Sequence, residues 1–189
     1  ILFLLLIGVL LYKVIFSRIV TFDIENKIKN SLLVGFGLSI VLQNIVLLLW
    51  TADHRSIKTS YSGQALTMLG IRLPVVRLVS LGITLIAVIG LHFFLKKTYF
   101  GKAIRATVEN WEAASLMGIN VHKVYLVSFI VGCALAGVAG TLVTLSYSID
   151  PSMGLEWTLK GLVVMVLGGL GNMIGTFVGG IILGLTESA

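Results

Sequence analysis

Long apolar runs alternate with short polar segments along almost the whole chain. A helix needs about 20 mainly apolar residues to cross the hydrocarbon layer of a membrane. On this basis we predict about six membrane helices or half-helices, near residues 1–16, 31–50, 74–95 and 121–147, with the last two filling residues 159–187. The runs lack the two-residue alternation of a transmembrane β-barrel. The pattern therefore predicts an all-α, polytopic transmembrane helical bundle.

The last apolar stretch is interrupted by a glycine-rich break formed by Gly168, Gly169, Gly171 and Asn172. Glycine tolerates backbone geometry that other residues resist. The part before the break, residues 159–167, is too short to span a bilayer, so we expect a half-helix that turns back where protein or water covers its backbone. Two separate spans and a re-entrant pair both fit the pattern. The break is also a candidate lining of a pathway through the membrane.

Small residues recur at every fourth position in three of the predicted helices, among them Ser31, Gly35 and Ser39 in the second. This spacing lets helix backbones approach closely in lipid, where packing rather than water exclusion drives association. We therefore predict helix-packing faces that contain Gly132, Ala136 and Gly140 in one helix and Gly175 and Gly179 in another.

Composition places the chain among integral membrane proteins, since 57% of its residues are hydrophobic, 12% are charged and the mean hydropathy is +1.05. Nine of the fourteen Lys and Arg residues fall in the segments 12–30 and 96–123, which we expect to face the cytoplasm. This topology explains the net charge of +6 without a nucleic-acid partner. The chain begins without Met and stops after an apolar run. We therefore expect residues 1–189 to be one transmembrane domain, truncated at both ends.

Asp, Glu, Lys and Arg are absent from the interiors of the apolar runs, and His92 lies near the end of the third. Ion-coupled transporters place such groups at membrane depth, so the pattern argues against ion coupling. The runs also lack a buried acid–base pair, a His–Glu metal motif and a Ser–His arrangement. We therefore predict no catalytic residue, no metal site and no enzyme activity. For Gln43 and Asn44 we prefer hydrogen bonding between helices over substrate contact.

The most informative polar segment runs from Lys96 to Lys123. It carries charged residues three, four and three positions apart, which places them on one helical face: Lys102, Arg105, Glu109 and Glu112. An adjoining apolar face has the same period: Ile104, Val108, Trp111 and Ala114. We predict one amphipathic helix over residues 101–117 that lies along the cytoplasmic boundary and ends at Gly118.

Glu112-Ala113-Ala114, followed three residues later by Gly118, resembles the EAA signature of the permease subunits of bacterial ABC importers. Further segments resemble the narrower family that carries branched-chain amino acids: residues 101–106, 114–120, 150–154 and 166–172. The chain departs from the extended signature of many importers, because no Ile-x-Leu-Pro follows Gly118.

The resemblance implies a multi-pass subunit of the bacterial inner membrane that moves branched-chain or other amino acids into the cytoplasm by alternating access. It implies as partners two cytoplasmic ABC ATPase subunits, a homologous permease subunit in a heterodimer, and an external substrate-binding protein. ATP would be used by the partner subunits, and the chain itself would bind no cofactor. Residues 101–118 would be the coupling helix, with the ATPase-coupling residues Arg105, Glu109, Glu112, Ala113, Ala114 and Gly118.

Two alternatives stay open at the level of sequence. Related permeases carry urea or short amides, so a urea importer is the nearest alternative. A passive channel is a second one, in which the break at 168–172 would serve as a pore element.

Overall fold

The computed structural model describes residues 2–16, 24–50, 65–68, 71–169 and 171–188. Most of this chain is helical. The helices are α1 (Leu2–Leu11), continued by a π-helical turn (Tyr12–Phe16), α2 (Ile24–Trp50), α3 (Val75–Lys97), α4 (Tyr99–Glu109), α5 (Trp111–Leu116), α6 (Val121–Ser146), α7 (Met153–Gly168) and α8 (Met173–Ser188).

Three helices are long and apolar enough to cross a membrane, within the part of the chain that the structure describes. They cover Asn30–Leu49 in α2, Val75–Lys97 in α3 and Val121–Ser146 in α6. Large apolar side chains of these helices remain exposed, for example Leu33 at 73% and Ile86 at 73%. Lipid or neighbouring chains must cover such surfaces. The all-α fold class and the second, third and fourth predicted spans are confirmed.

Two helices begin earlier than their apolar runs. Helix α2 starts at Ile24 rather than near residue 31, and α7 starts at Met153 rather than near residue 159. Residues such as Glu25, Glu156 and Lys160 are good helix formers, so the helix continues into a polar segment where hydropathy alone would end it. The predicted length of nine residues is therefore wrong, because α7 is 16 residues long. Two separate spans and a re-entrant pair both stay predictions for α7 and α8.

A short β-hairpin precedes α3, between the predicted spans 31–50 and 74–95. Strand β1 (Ala65–Met68) pairs antiparallel with β2 (Ile71–Pro74). Leu66 lies opposite Leu73, and Thr67 lies opposite Arg72. Proline lacks the N–H that a strand interior needs, and Pro74 is accordingly the last residue of β2. It also immediately precedes the first residue of α3.

The chain divides into two compact units. The first contains residues 1–38 and 56–148, and the second contains residues 39–55 and 149–189. In the first unit, α1 lies against α6, and α4 lies against both α3 and α6. Few of the described side chains are fully enclosed. The buried apolar ones are Tyr12, Ala103, Ala114 and Val124.

In the second unit, α7 and α8 form an antiparallel hairpin. A side chain on Gly175 would overlap the carbonyl oxygen of Gly168. One turn further along, a Cβ on Gly179 would lie 3.0 Å from the carbonyl oxygen of Val164. The two helix backbones therefore touch along the predicted Gly175–Gly179 face.

The second predicted packing face behaves differently. Gly132, Ala136 and Gly140 are all exposed, and among the described residues nothing lies within 4 Å of a Cβ built on either glycine. Helix α6 instead buries Gly137 and Val124. The Gly132 face therefore has no neighbour within the described ranges.

Candidate functional site

The polar segment between α3 and α6 contains two helices rather than the single helix predicted over residues 101–117. Helix α4 ends at Glu109 and α5 begins at Trp111, with Asn110 between them. Asn110 is extended, with φ −155° and ψ 103°. Its N–H donates to the carbonyl oxygen of Ala106, and its Oδ1 accepts from the N–H of Ala113 at 3.0 Å. One residue thus ends one helix and caps the next.

The entry into α4 is a tight reversal at Thr98. The Thr98 hydroxyl donates to the carbonyl oxygen of Phe94 at 2.6 Å and accepts from the N–H of Gly101 at 3.1 Å. Gly101 is buried, and a Cβ there would collide with the backbone of Phe94 and Leu95 at the end of α3. The chain can turn this sharply only because residue 101 has no side chain.

The exit from α5 is a Schellman motif centred on Gly118. The N–H of Gly118 donates to the carbonyl oxygen of Ser115 at 3.0 Å, and the N–H of Ile119 donates to that of Ala114 at 3.1 Å. Gly118 has φ +82°, in the left-handed region that favours glycine. The predicted end of the helical segment at Gly118 is therefore confirmed. Asn120 then caps α6, since its Oδ1 accepts from the N–H of Lys123 at 3.1 Å.

Most of the predicted coupling residues lie on the surface. Arg105, Glu109, Glu112 and Ala113 are exposed. Ala114 is the exception, because it is only 4% exposed. The inner side of this element also buries Ala103 and Thr107, whose hydroxyl donates to the carbonyl oxygen of Ala103 at 2.8 Å. Ala114 therefore belongs to the packed side of the element.

The predicted apolar face is partly wrong. Ala114 is buried, and Ile104 and Trp111 are half-buried, but Val108 is 82% exposed. Leu116 and Met117, which the sequence analysis did not single out, are 88% and 84% exposed. Within α4 the buried residues are Gly101, Ala103 and Thr107, so the packed face lies to one side of the predicted one and Val108 falls outside it. The surface of this element is consequently apolar as well as charged.

Electrostatics favour the position of Glu112. It lies in the first turn of α5, where the partial positive charge of a helix N-terminus stabilises a carboxylate. Within the described ranges, Glu112 forms no ion pair. Its carboxylate is therefore exposed and available to a partner.

The glycine-rich break is a turn between α7 and α8. Gly168 ends α7, and Gly169 and Gly171 have φ +83° and +86°. Asn172 caps α8, since its Oδ1 accepts from the N–H of Gly175 at 3.1 Å. The structure therefore contains a helix break at these residues, and their place in a pathway stays a prediction.

The polar groups described within the spans form neither a metal site nor the predicted bond between helices. The Asn44 side chain donates to the carbonyl oxygen of Ile40 in its own helix at 2.8 Å, which differs from the predicted bond between helices. Across the described residues, no group of three or more His, Cys, Asp or Glu side chains is arranged to hold a metal ion.

Three capping residues that shape the site were not predicted from the sequence. Thr98, Asn110 and Asn120 each accept a hydrogen bond from the N–H three residues further on. Threonine and asparagine are preferred at such N-cap positions, so their residue types were a usable signal. The cap signal at Asn110 was overlooked because the charged residues on either side keep a helical spacing, which predicted one continuous helix.

The chain is similar in sequence to known permease proteins. The sequence profile of the family described as branched-chain amino acid transport system / permease component matches residues 1–189. The chain is 32% identical over 162 residues to the high-affinity branched-chain amino acid transport system permease protein BraD of Pseudomonas aeruginosa, covering 83% of this chain and 53% of that protein.

Two further relatives carry related names. The high-affinity permease protein LivH of Escherichia coli (strain K12) is 32% identical over 163 residues, covering 84% of this chain and 53% of that protein. The probable branched-chain amino acid transport permease protein LivH of Methanocaldococcus jannaschii is 41% identical over 110 residues, covering 58% of this chain and 35% of that protein.

The chain spans about half the length of the curated relatives that cover most of it. No solved structure matches it. The three membrane-length helices and the family match over residues 1–189 confirm the predicted location in the cell membrane as a multi-pass protein. The chain belongs to the family of permease components of branched-chain amino acid transport systems.

Proposed function

We propose that this chain is part of the permease subunit of an ABC importer that moves branched-chain amino acids into the cytoplasm. The permease would alternate between outward-facing and inward-facing states, driven by separate ATPase subunits. It would bind no cofactor and catalyse no reaction itself. The family match and the names of the relatives support this proposal, since each is a permease of branched-chain amino acid transport.

The observation that carries the mechanism is the two-helix element formed by α4 and α5, between the membrane-length helices α3 and α6. Its turns are fixed by Thr98, Asn110 and Gly118, while its surface is charged and apolar. A defined, exposed element at the end of two spans is suited to transmit a movement from a partner to the membrane helices. We call residues 98–120 the coupling element.

The surface that would dock on the ATPase is formed by the exposed residues of α5 and its C-cap Met117, and it excludes the buried Ala114. It combines two pairs of residues that are neighbours one turn apart, Glu112 with Leu116 and Ala113 with Met117. Apolar side chains exposed above 80% in a water-facing loop gain about 1.5–3 kcal/mol each when a partner buries them fully. Glu112 would add a charged contact, and Ala113 would allow close approach. We call Glu112, Ala113, Leu116 and Met117 the docking face.

The other predicted coupling residues would have distinct roles. Arg105 and Glu109 are exposed on α4 and would supply charged contacts beside the docking face. Ala114 and Gly118 would act indirectly, because one is packed inside and the other fixes the turn.

The further partners are a homologous permease subunit, a second ATPase and an external binding protein. The open face at Gly132, Ala136 and Gly140 would pack against a helix outside the described residues, in the same protein or in the second permease. The turn at Gly168, Gly169, Gly171 and Asn172 would line part of the substrate pathway, because left-handed glycines leave backbone groups uncovered by side chains.

Uptake into proteoliposomes tests the proposal. The full-length permease is reconstituted with its second permease, its ATPase subunits and its binding protein, and radiolabelled leucine and urea are offered in separate assays. We expect leucine uptake only when ATP is supplied on the side of the membrane that carries the ATPase subunits. Leucine uptake without ATP would support the passive channel instead, and ATP-dependent urea uptake without leucine uptake would support the urea importer.

A further inference from the structure

The first helix is tied to the helix that leaves the coupling element. The Tyr12 hydroxyl donates to the carbonyl oxygen of His122 at 3.1 Å, across 110 positions of sequence. Tyr12 is one of the few buried apolar side chains, only 6% exposed, and its ring lies 5.8 Å from that of Phe129. It begins a π-helical turn, a rare feature that is frequent at functional sites.

A second contact extends this seam by one helical turn. Gly8 is buried, and a Cβ on it would lie 2.8 Å from Sγ of Cys133. Tyr12 follows Gly8 by four residues, in the π-helical turn that continues α1. The residues that they contact on α6, Phe129 and Cys133, are also four apart but follow in the opposite order. Helices α1 and α6 are therefore antiparallel and in close contact over this stretch.

The position of His122 links the Tyr12 hydrogen bond to the coupling element. It lies in the first turn of α6, two residues after the cap at Asn120 and four residues after the left-handed Gly118. Hydrogen bonds at both ends of this short connection fix it, so a displacement of α5 must reach the first turn of α6. Tyr12 is bonded to that same turn.

We propose that Tyr12 is a positioning residue that couples α1 to the coupling element, so that α1, α6 and the element move as one rigid body during transport. This inference rests on the proposed function. It makes two claims. The hydroxyl of Tyr12 transmits force between the helices, and α1 and α6 stay in contact throughout the transport cycle.

Tyr12→Phe tests the first part, because phenylalanine keeps the ring contact with Phe129 and removes only the hydrogen bond. We expect the reconstituted complex to assemble and hydrolyse ATP normally but to move about fivefold less leucine per ATP, the effect of losing one hydrogen bond. The matched control is Thr144→Val, which removes a hydroxyl that bonds to a carbonyl of its own helix, that of Gly140. An unchanged ratio of leucine to ATP in Tyr12→Phe would overturn the proposal.

A disulfide tests the second part. Cys133 is the single cysteine of this chain, and a Cβ at position 8 would lie 3.1 Å from its Cβ. Gly8→Cys, in a protein without other cysteines, should therefore cross-link to Cys133 on oxidation after a small shift of the helices. We expect the cross-linked complex to retain transport, with Gly8→Cys, Cys133→Ser as the control that cannot cross-link. Transport that stops on oxidation and returns on reduction would overturn the rigid body.

These results are distinguishable from a failure of the proposed function. If wild-type uptake is independent of ATP, the importer itself is rejected. If wild-type uptake needs ATP but Tyr12→Phe keeps its transport ratio, only the role of Tyr12 is rejected.

Discussion

The carbonyl oxygen of Gly168 lies where a side chain on Gly175 would have to be placed. Helices α7 and α8 are therefore in backbone contact beside the turn that joins them. Gly175→Ala should destabilise the protein by about 3 kcal/mol, the upper end for overpacking, because a backbone atom cannot rotate away. The loss is measured as a lower midpoint of thermal unfolding of the purified complex.

Gly184 offers a matched control in the same helix. Among the described residues nothing lies within 4 Å of a Cβ built on it. Gly184→Ala should leave the unfolding midpoint unchanged or raise it slightly, because alanine favours helix. Equal effects of the two substitutions would contradict the backbone contact.

The Schellman turn at Gly118 makes a second prediction. Nothing among the described residues lies within 4 Å of a Cβ at this position, so the cost of Gly118→Ala comes from the left-handed backbone alone, about 1–2 kcal/mol. Gly118→Asn should cost less, because asparagine visits this region more readily. We expect leucine uptake to fall in the order Gly, Asn, Ala, while the amount of inserted permease stays constant.

A glycine in ordinary right-handed helical conformation controls for the loss of backbone freedom that any glycine-to-alanine change causes. Gly90 lies inside α3 and also has open space around its Cβ position. Gly90→Ala should keep full uptake. If Gly118→Ala also keeps full uptake, the turn is not needed for transport.

The docking face makes a third prediction. Leu116→Ser removes an exposed apolar side chain, and Glu112→Lys reverses an exposed charge. Both should lower the amount of ATPase that co-purifies with the permease, with membrane insertion unchanged. Leu116→Met keeps the volume and apolar character and should retain the ATPase. Equal retention in Leu116→Ser and Leu116→Met would show that the partner does not bury this residue.

Long, uniform patterns in the sequence predicted the spans well. The predicted helix 121–147 is found as Val121–Ser146, because its apolar run is bounded by the cap at Asn120. The coupling element was predicted less well. Its charged residues keep a helical period across Asn110, and this periodicity predicted one continuous helix. The periodicity carries no sign of the cap at Asn110, which divides the segment into two helices. The four-residue strands β1 and β2 are too short for alternation to stand out.

Tertiary contacts were the least predictable part. Small residues at every fourth position identify a face that can pack closely but not the helix that will cover it. Gly175 packs against the backbone of α7, whereas the Gly132 face contacts no neighbour among the described residues. On α6 the close contact is made by Cys133, which packs against Gly8 of α1. No local pattern links Tyr12 with His122, because their contact depends on how α1 meets α6.

The open end of the α7–α8 hairpin makes a fourth prediction. Lys160 lies 2.6 Å from Glu187 and 3.0 Å from Glu156, and its ammonium lies 4.9 Å from the Trp157 ring centroid. Lys160→Glu would place three carboxylates together and should lower the unfolding midpoint. Adding Glu187→Lys should restore part of the loss, since Glu156 still repels the new carboxylate.

Salt gives the control for this charge cluster. All three groups are partly exposed, so the difference between wild type and Lys160→Glu should shrink at high ionic strength. A salt-independent difference, or a charge swap that recovers nothing, would contradict an ion pair between the helices.

The most direct test of the central claim is the accessibility of position 113. A single cysteine is placed there by Ala113→Cys in a permease without other cysteines, and a membrane-impermeant maleimide is applied to right-side-out and inside-out vesicles. We predict labelling only in inside-out vesicles stripped of ATPase, and protection when the purified ATPase is added back. Labelling of right-side-out vesicles would place the coupling element outside the cell and contradict the account.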